Sequence, residues 1–243
     1  MRAYAVPDIH GYLDELRRVH RLIAADRART GEDAPVIHLG DLVDRGPDSF
    51  GTIEYLRRGP VAGGPWITLR GNHDFMFRLF LEGHDQRDPG LNPAYTWLHG
   101  RLGGRETLRS YGIDAGDERD PSDLSAEARA RVPEAHRVFL DNLPLLHRTE
   151  AAVFVHAGIR PGVPLVAQAP TDLMWIREDW LDAAYDGPLV VHGHTVVDRP
   201  THYGHRVNLD SGAGYGEPLA AAFVDGRDVW LLTEDGRVPL RPE

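Results

Sequence analysis

The sequence predicts an α/β fold with at least one sheet that contains parallel strands and carries helices on its faces. Short apolar runs rich in β-branched residues recur along the chain, and each ends in a polar cluster. Amphipathic stretches separate the early runs, and this alternation of strand and helix is typical of a parallel-containing sheet. With 243 residues, of which 42% are hydrophobic, the chain can bury a sizeable core.

Five short runs are predicted to form buried strands because they are apolar and are followed by turn-forming residues. They span residues 3–6, 35–39, 66–69, 152–155 and 189–191. Two amphipathic stretches between the early runs, 12–29 and Ser49–Arg58, place apolar residues at helical spacing. A third helix is expected to begin near His73.

The C-terminal part of the chain changes character and predicts short strands without helices. Three runs, 205–209, 219–224 and 229–232, have strand composition. The tetrapeptide Asp225-Gly226-Arg227-Asp228 between the last two is a hairpin signal. We expect these runs to form a meander that closes a second sheet.

The segment from residue 83 to residue 144 is less regular than the rest of the chain. It combines Gly, Pro, Asp and Arg clusters with helical patches at 125–131 and 136–143. It is too long for a plain loop in a compact domain. We therefore expect a single domain over residues 1–243, with 83–144 as an inserted, mostly helical cap.

Composition narrows the classes of partner and of metal site. The net charge of -10 disfavours the phosphate-backbone attraction on which most nucleic-acid binders depend, so long nucleic acids are not expected partners. The absence of cysteine excludes disulfides, thiolate zinc sites, iron–sulfur clusters and a cysteine nucleophile. No apolar run has the length of a signal peptide or a membrane span, so a soluble cytoplasmic protein is expected.

Polar clusters follow the five predicted strands, where open α/β sheets gather their ligand sites. Each has an ordinary structural explanation when it is taken alone, such as a helix cap, a turn or a histidine bonded to a carbonyl. Taken together, their placement at converging strand ends favours a single ligand-binding site to which all five clusters contribute. The clusters are Asp8-Ile9-His10-Gly11, Gly40-Asp41-Leu42-Val43-Asp44-Arg45-Gly46, Gly71-Asn72-His73-Asp74, His156-Ala157-Gly158 and Gly193-His194-Thr195.

These motifs, in this order, resemble those of the calcineurin-like metallophosphoesterases, and specifically the phosphoprotein phosphatase branch. Further elements, including Trp97 and the segment Asn208-Leu209-Asp210-Ser211-Gly212-Ala213, resemble the bacterial serine/threonine phosphatase-like members. The resemblance implies an αββα sandwich of two mixed sheets flanked by helices. It covers the chain from Val6 to about Gly216.

The resemblance also implies a centre with two divalent metal ions. Such a centre suits the chemistry, because two ions about 3.5–4 Å apart lower the pKa of a shared water and yield a bridging hydroxide that attacks phosphorus. Oxygen and nitrogen ligands suit Mn, Fe or Zn, and Mn is our first choice. By motif, Asp8 and His10 would bind the first metal, Asp41 would bridge both, and Asn72, His156 and His194 would complete the second.

Four further residues resemble the groups that act on the substrate. His73 resembles the proton donor to the departing alkoxide, and Asp44 resembles the carboxylate that orients its ring. Arg45 and Arg177 resemble the phosphate clamps, and Asn72 is expected to contact phosphate as well. The structural alternative for Arg177 is a surface salt bridge with Glu178 or Asp179.

We therefore expect a metal-dependent hydrolase of phosphomonoesters, with a phosphoserine/phosphothreonine protein phosphatase as the leading interpretation. Its partners would be phosphorylated proteins, peptides or small phosphoesters. The alternative is a symmetrical bis(5'-nucleosyl)-tetraphosphate hydrolase, which uses the same metal site. A non-catalytic metal-binding scaffold is a distant third, because it gives no chemical reason to keep the proton donor together with the clamps.

Overall fold

The computed structural model describes residues 2–61, 63–177 and 185–243, and its centre consists of two mixed β-sheets packed face to face. Helices cover the outer faces of both sheets. The predicted αββα sandwich is therefore confirmed.

In the first sheet, three parallel strands form one side and three antiparallel strands form the other. Its neighbours run in the order β11-β10-β9-β1-β2-β3, with β1 central. The parallel register pairs Ala5 with Ile37 and Ile37 with Ile67. The strands are β1 (Arg2–Val6), β2 (Val36–His38), β3 (Trp66–Thr68), β9 (Ala222–Asp225), β10 (Asp228–Thr233) and β11 (Gly236–Leu240).

The second sheet has a parallel centre with an antiparallel strand at each edge. Its order is β4-β5-β6-β8-β7, with β5, β6 and β8 parallel. The short edge strands β4 and β7 were not among the predicted runs. The strands are β4 (Leu146–Arg148), β5 (Ala152–Val155), β6 (Leu189–His192), β7 (Thr201–His202) and β8 (Arg206–Asn208).

The expectation that the three C-terminal runs close a second sheet is wrong for two of them. Only β8 lies in the second sheet, whereas β9 and β10 extend the first sheet through antiparallel pairing of β9 with β1. The turn between β9 and β10 is where the sequence places it, with Gly226 at φ 67°. β2 pairs with one edge of β1, and β9 pairs with the other edge, which would otherwise be unpaired. The apolar pattern of a strand does not reveal which edge of another strand is available, so the sequence could not predict this pairing.

The described helices begin and end close to the predicted positions where the sequence has strong signals. Asp48 caps α2 by accepting a hydrogen bond from the backbone of Gly51. Asp120 followed by Pro121 starts α5 in the same way, four residues before the predicted patch. The helices are α1 (Leu13–Thr30), α2 (Ser49–Arg58), α3 (Asn72–Glu82), α4 (Gly104–Ser110), α5 (Pro121–Arg131), α6 (Glu134–Asp141) and α7 (Pro170–Trp175).

Alternation along β1 divides the core into two layers. Ala3 and Ala5 face the second sheet and pack in a cluster that includes Phe154. Tyr4 and Val6 face the helices and belong to a larger cluster on the opposite side. The two sheets are thereby held in fixed relative positions, and their loop ends are brought together.

The segment 83–144 packs onto the helices of the first sheet. Its residues Leu108, Leu124 and Leu140 are buried in the same apolar cluster as Phe77 of α3. Its description as a cap within a single domain stays a prediction. Among the described helices, none combines the length and the apolar character that crossing a membrane requires.

Candidate metal centre

The polar clusters predicted at the strand ends converge on one edge of the sandwich. The loops after β1 and β2 and the start of α3 approach from the first sheet, and the loops after β5 and β6 approach from the second. Eight of their predicted site residues are buried, with 6% exposure or less. They are Asp8, His10, Asp41, Asp44, Asn72, His73, His156 and His194.

Asp41 lies between two groups of possible ligands and belongs to both. One group contains His10 and His73, and the other contains His156 and His194, with the ligand atoms of each group within 4.8 Å of one another. The carboxylate Oδ2 lies 3.6 Å from His10 Nε2, whereas Oδ1 lies 3.5 Å from His156 Nε2. One carboxylate thus presents an oxygen to each side.

Backbone carbonyls fix the orientation of two of these histidines. His10 Nδ1 lies 2.9 Å from the carbonyl of Val43, and His156 Nδ1 lies 3.0 Å from the carbonyl of Leu39. A carbonyl only accepts, so each Nδ1 carries the proton and each Nε2 presents a lone pair toward Asp41. A hydrogen-bonded second nitrogen is the usual arrangement for histidine that ligates metal.

The side chains of the second group converge as acceptors and therefore fit a cation. His156 Nε2 lies 2.9 Å from Asn72 Oδ1 and 3.1 Å from His194 Nδ1. Nε2 of His194 is buried and has no hydrogen-bond partner among the described residues. A donor set of carboxylate, amide oxygen and imidazole suits Mn, Fe or Zn.

Asp8 lies at the back of the cluster rather than in either three-residue group. Both of its carboxylate oxygens accept from the backbone N–H of His194 at 3.1 Å, and its Oδ1 is 4.0 Å from His156 Nδ1. In the described residues, His73 and not Asp8 completes the group of His10 and Asp41. The assignment of Asp8 to the first metal stays a prediction.

Asp210, after β8, is a buried carboxylate of this site that the sequence reasoning quoted without giving it a role. Burial raises the pKa of Asp8 well above its usual value, and the charge of Asp210 raises it further. Burial likewise raises the pKa of Asp41 to about 8. Buried carboxylates that repel one another in this way favour a bound cation.

His73 and Asp44 form a buried pair beside these groups. His73 Nδ1 lies 2.6 Å from Asp44 Oδ2, which leaves Nε2 facing the site, 4.0 Å from Asp41 Oδ2. Two residues of the segment 83–144 hold the same carboxylate, since Trp97 Nε1 donates at 2.9 Å and Thr107 Oγ1 at 2.7 Å. Burial raises the pKa of Asp44 to about 7, and burial together with the Arg45 charge lowers the pKa of His73.

The two predicted clamps differ in position. Arg45 reaches inside, where its Nη1 is 2.7 Å from His10 Nε2, and the exposed ring of Tyr215 lies under its guanidinium at 4.6 Å. Arg177 lies on the surface with Nη1 3.3 Å from Thr195 Oγ1. Its alternative salt-bridge partners, Glu178 and Asp179, lie outside the described residues.

Backbone strain is concentrated at this edge. In the described chain, the non-glycine residues with positive φ all belong to the site, at φ values between 49° and 74°. Side chains are disfavoured in this region of backbone space, and such residues cluster at functional sites. They are His10, Asp41, Asp44, Arg45 and His194.

A protein-family model described as calcineurin-like phosphoesterase matches residues 1–221. The chain belongs to this family. It is a hydrolase of the metallophosphoesterase type, in agreement with the resemblance of its motifs.

Curated relatives of the chain are nucleotide hydrolases. The asymmetrical bis(5'-nucleosyl)-tetraphosphatase PrpE of Bacillus subtilis (strain 168) is 28% identical over 238 residues, covering 88% of this chain and 87% of that protein. The symmetrical bis(5'-nucleosyl)-tetraphosphatase of Methylococcus capsulatus (strain ATCC 33009 / NCIMB 11132 / Bath) is 32% identical over 162 residues, covering 66% of this chain and 44% of that protein.

Solved structures share the fold at lower identity. The cold-active protein-tyrosine phosphatase of a psychrophile Shewanella sp. superposes with a TM-score of 0.64 and 16% identity, over 99% of this chain and 80% of that one. A crystal structure described as a candidate diadenosine tetraphosphatase superposes with a TM-score of 0.62 and 21% identity, over 100% of this chain and 95% of that one. At these identities the likeness shows the fold alone.

Proposed function

We propose that this metallophosphoesterase hydrolyses dinucleoside tetraphosphates with two divalent metal ions, of which Mn is the first choice. The observation that carries the metal part is Asp41, whose two carboxylate oxygens face separate histidine groups. The substrate part is supported by the curated relatives, which favour the alternative drawn from the sequence over the protein phosphatase.

In this proposal the ions are held by the six residues that the motifs assign to them, Asp8, His10, Asp41, Asn72, His156 and His194. The two ions, when bound, would neutralise charge on the phosphate oxygens and acidify the attacking water. The remaining tasks belong to charged and titratable side chains of the chain itself.

His73 is placed to move a proton at the leaving group. Its Nδ1 is tied to Asp44, so the ring offers Nε2 to the site, and a proton held there can pass to the departing oxygen. The carboxylate of Asp44 accepts from Nδ1–H, fixes the orientation of the ring and stabilises the imidazolium that carries a second proton on Nε2. Trp97 and Thr107 in turn hold the carboxylate.

The arginines supply fixed positive charge. Arg45 approaches both His10 and His73, so its guanidinium can fork onto the oxygens of a phosphate between them. Arg177 stands at the opening beside His194 and can bind the outer part of a polyphosphate. Asn72 is within the same cluster and can contact phosphate through its amide.

The test is hydrolysis by protein stripped with EDTA and reloaded with Mn, Zn, Mg or Ni. Diadenosine tetraphosphate, a phosphoserine peptide and p-nitrophenyl phosphate are compared at equal enzyme concentration, with kcat/KM measured for each. We expect metal-dependent turnover with preference for the dinucleotide. Preference for the phosphopeptide would replace the proposal with the protein phosphatase, and no turnover with any metal would favour the scaffold.

Analysis of the nucleotide products then assigns the bond that is cleaved. ATP with AMP means asymmetrical cleavage, as in the name of the Bacillus subtilis relative, and two ADP means symmetrical cleavage. The alternative drawn from the sequence is the symmetrical reaction, which predicts two ADP.

A further inference from the structure

A cavity of about 320 Å³ lies between α3 and the segment 83–144. Its size falls within the range of small-molecule sites, which is roughly 300–1,000 Å³. Aromatic and aliphatic side chains form much of its wall, including Phe80, Leu91, Trp97 and Leu98. Such walls favour a flat, largely apolar ligand group.

Asp88 is a polar residue of this wall with an unused acceptor. The residue is only 4% exposed. Its Oδ1 accepts from Trp175 Nε1 at 2.9 Å and from the backbone of Gly90 at 2.8 Å. Its Oδ2 is buried and has no partner in the part of the chain that the structure describes. A buried acceptor without a donor is costly, so a ligand that donates to it gains affinity.

Two tryptophans connect the cavity to the candidate metal centre. Trp97 lines the cavity and donates to Asp44, which orients His73. Trp175 donates to Asp88, and its ring lies 5.9 Å from the ring of His194. The cavity and the metal centre are therefore neighbours that share Trp97 and Trp175 between them.

We propose that this cavity receives the adenine ring of the substrate, with its exocyclic amino group donating to Oδ2 of Asp88. This inference rests on the proposed dinucleotide substrate. The apolar walls pack against the faces of the ring. Oδ1 already accepts two hydrogen bonds, so one oxygen is left, and adenine offers a single exocyclic amino donor. Guanine offers two adjacent donors, which match a carboxylate with both oxygens free.

The experiment compares inhibitors that differ only in the base, in the metal-loaded enzyme with p-nitrophenyl phosphate as reporter. AMP, purine riboside 5'-monophosphate, which lacks the amino group, and ribose 5-phosphate, which lacks the base, are titrated as competitors. We expect AMP to inhibit at a concentration about 10-fold or more below that of ribose 5-phosphate, with purine riboside 5'-monophosphate between them. Equal inhibition by all three overturns the proposal without any variant.

Asp88→Asn then tests the residue itself. The amide that replaces Oδ2 is a donor, so the advantage of AMP over purine riboside 5'-monophosphate is expected to disappear. Asp123→Asn, an exposed residue of α5, is the matched control and should keep the wild-type ratio. A purely structural role for Asp88 would change inhibition by all three compounds equally, and that result contradicts the proposal.

The outcomes separate this inference from the proposed function. If the protein cleaves diadenosine tetraphosphate but AMP has no advantage over ribose 5-phosphate, the cavity is not a base site and the proposed function still stands. An AMP advantage that depends on Asp88, without cleavage of the dinucleotide, supports the cavity as a base site and rejects the function.

Discussion

The structure contains two clusters of histidine, and their surroundings differ. At the candidate metal centre, His10 and His73 face the carboxylates of Asp41 and Asp44. In the second cluster, His20 and His38 face one another at 3.0 Å, and their other ring nitrogens contact Tyr55 and Thr68. We call this second group, with Trp66 packed against it, the His20–His38 cluster.

The difference shows that buried histidine alone does not make a metal site. The His20–His38 cluster has only neutral hydrogen-bond partners, so nothing in it stabilises a dication. In the metal centre, Asp41 supplies negative charge to two sets of lone pairs. His20 and His38 also fall outside the five motifs of the site, and their contacts are those of packing residues.

The largest expected effect is at Asp41. Asp41→Asn removes the charge that both histidine groups share, so we expect loss of both ions and hydrolysis at the level of the metal-free protein. Metal content by elemental analysis, with thermal unfolding as a folding check, measures this. His20→Gln is the control from the second cluster and should keep the wild-type metal content. If Asp41→Asn keeps both ions, the contrast between the clusters fails.

The next effect is at His73 and depends on the leaving group. His73→Ala removes the proton donor, so kcat on a phosphoserine peptide should fall about 100- to 10,000-fold. Diadenosine tetraphosphate should lose less, because a departing nucleotide phosphate is a weaker base than a serine alkoxide and gains less from the proton. Equal losses on both substrates, together with a lower metal content, would identify His73 as a ligand, as its grouping with His10 and Asp41 allows.

A smaller effect is expected at Trp97. Trp97→Phe removes the N–H that donates to Asp44 and retains the ring that stacks on Phe77 at 5.3 Å. A hydrogen bond to a charged group contributes about 1.5–3 kcal/mol, so kcat on the phosphoserine peptide should fall about 10-fold with the metal content unchanged. Trp66→Phe in the His20–His38 cluster is the matched control. A wild-type kcat in Trp97→Phe would show that Asp44 needs no such support.

A substitution in the His20–His38 cluster is expected to have the smallest effect on activity. It should change the stability of the protein instead. Burial lowers the pKa of His20 to about 4, with the charge of Arg27 adding to it. The unfolded ring titrates near 6.5, so the unfolded state binds the proton first and stability falls as the pH drops from about 6.5 to 4.

His20→Gln removes this dependence, so its unfolding free energy should change less with pH than that of the wild type, by at most about 3 kcal/mol. Urea unfolding between pH 7.5 and pH 4.5 measures the difference, and turnover at pH 8 should match the wild type. Parallel pH curves for the two proteins would contradict the low pKa of His20.

The sequence predicted the fold and the convergence of the site because both depend on local signals. Each strand that carries a site residue ends in a recognisable polar cluster, and parallel strands bring such ends to one edge. Membership of β9 and β10 in the first sheet was not predictable, since pairing with β1 is decided across more than 200 positions of the chain.

Residues that support the site were also beyond sequence reasoning. Trp97 and Thr107 hold Asp44 from the segment 83–144, which has no regular pattern that fixes its approach. Asp210 and Asp88 lie in segments whose sequences are typical of ordinary turns. Only their burial distinguishes them from other turn aspartates. The signal that could have flagged Trp97 and Asp210 was their place in motifs that resemble the bacterial members.

The hydrogen bonds from the backbone of His194 to Asp8 join positions 186 residues apart. The metal centre therefore exists only when both sheets have folded and docked, and ions that bind there bind the native chain and not its fragments. Ligand present at 1,000 times its dissociation constant stabilises the native state by about 4 kcal/mol. The supply of divalent metal would thus set the lifetime of the folded chain against proteolysis as well as its turnover.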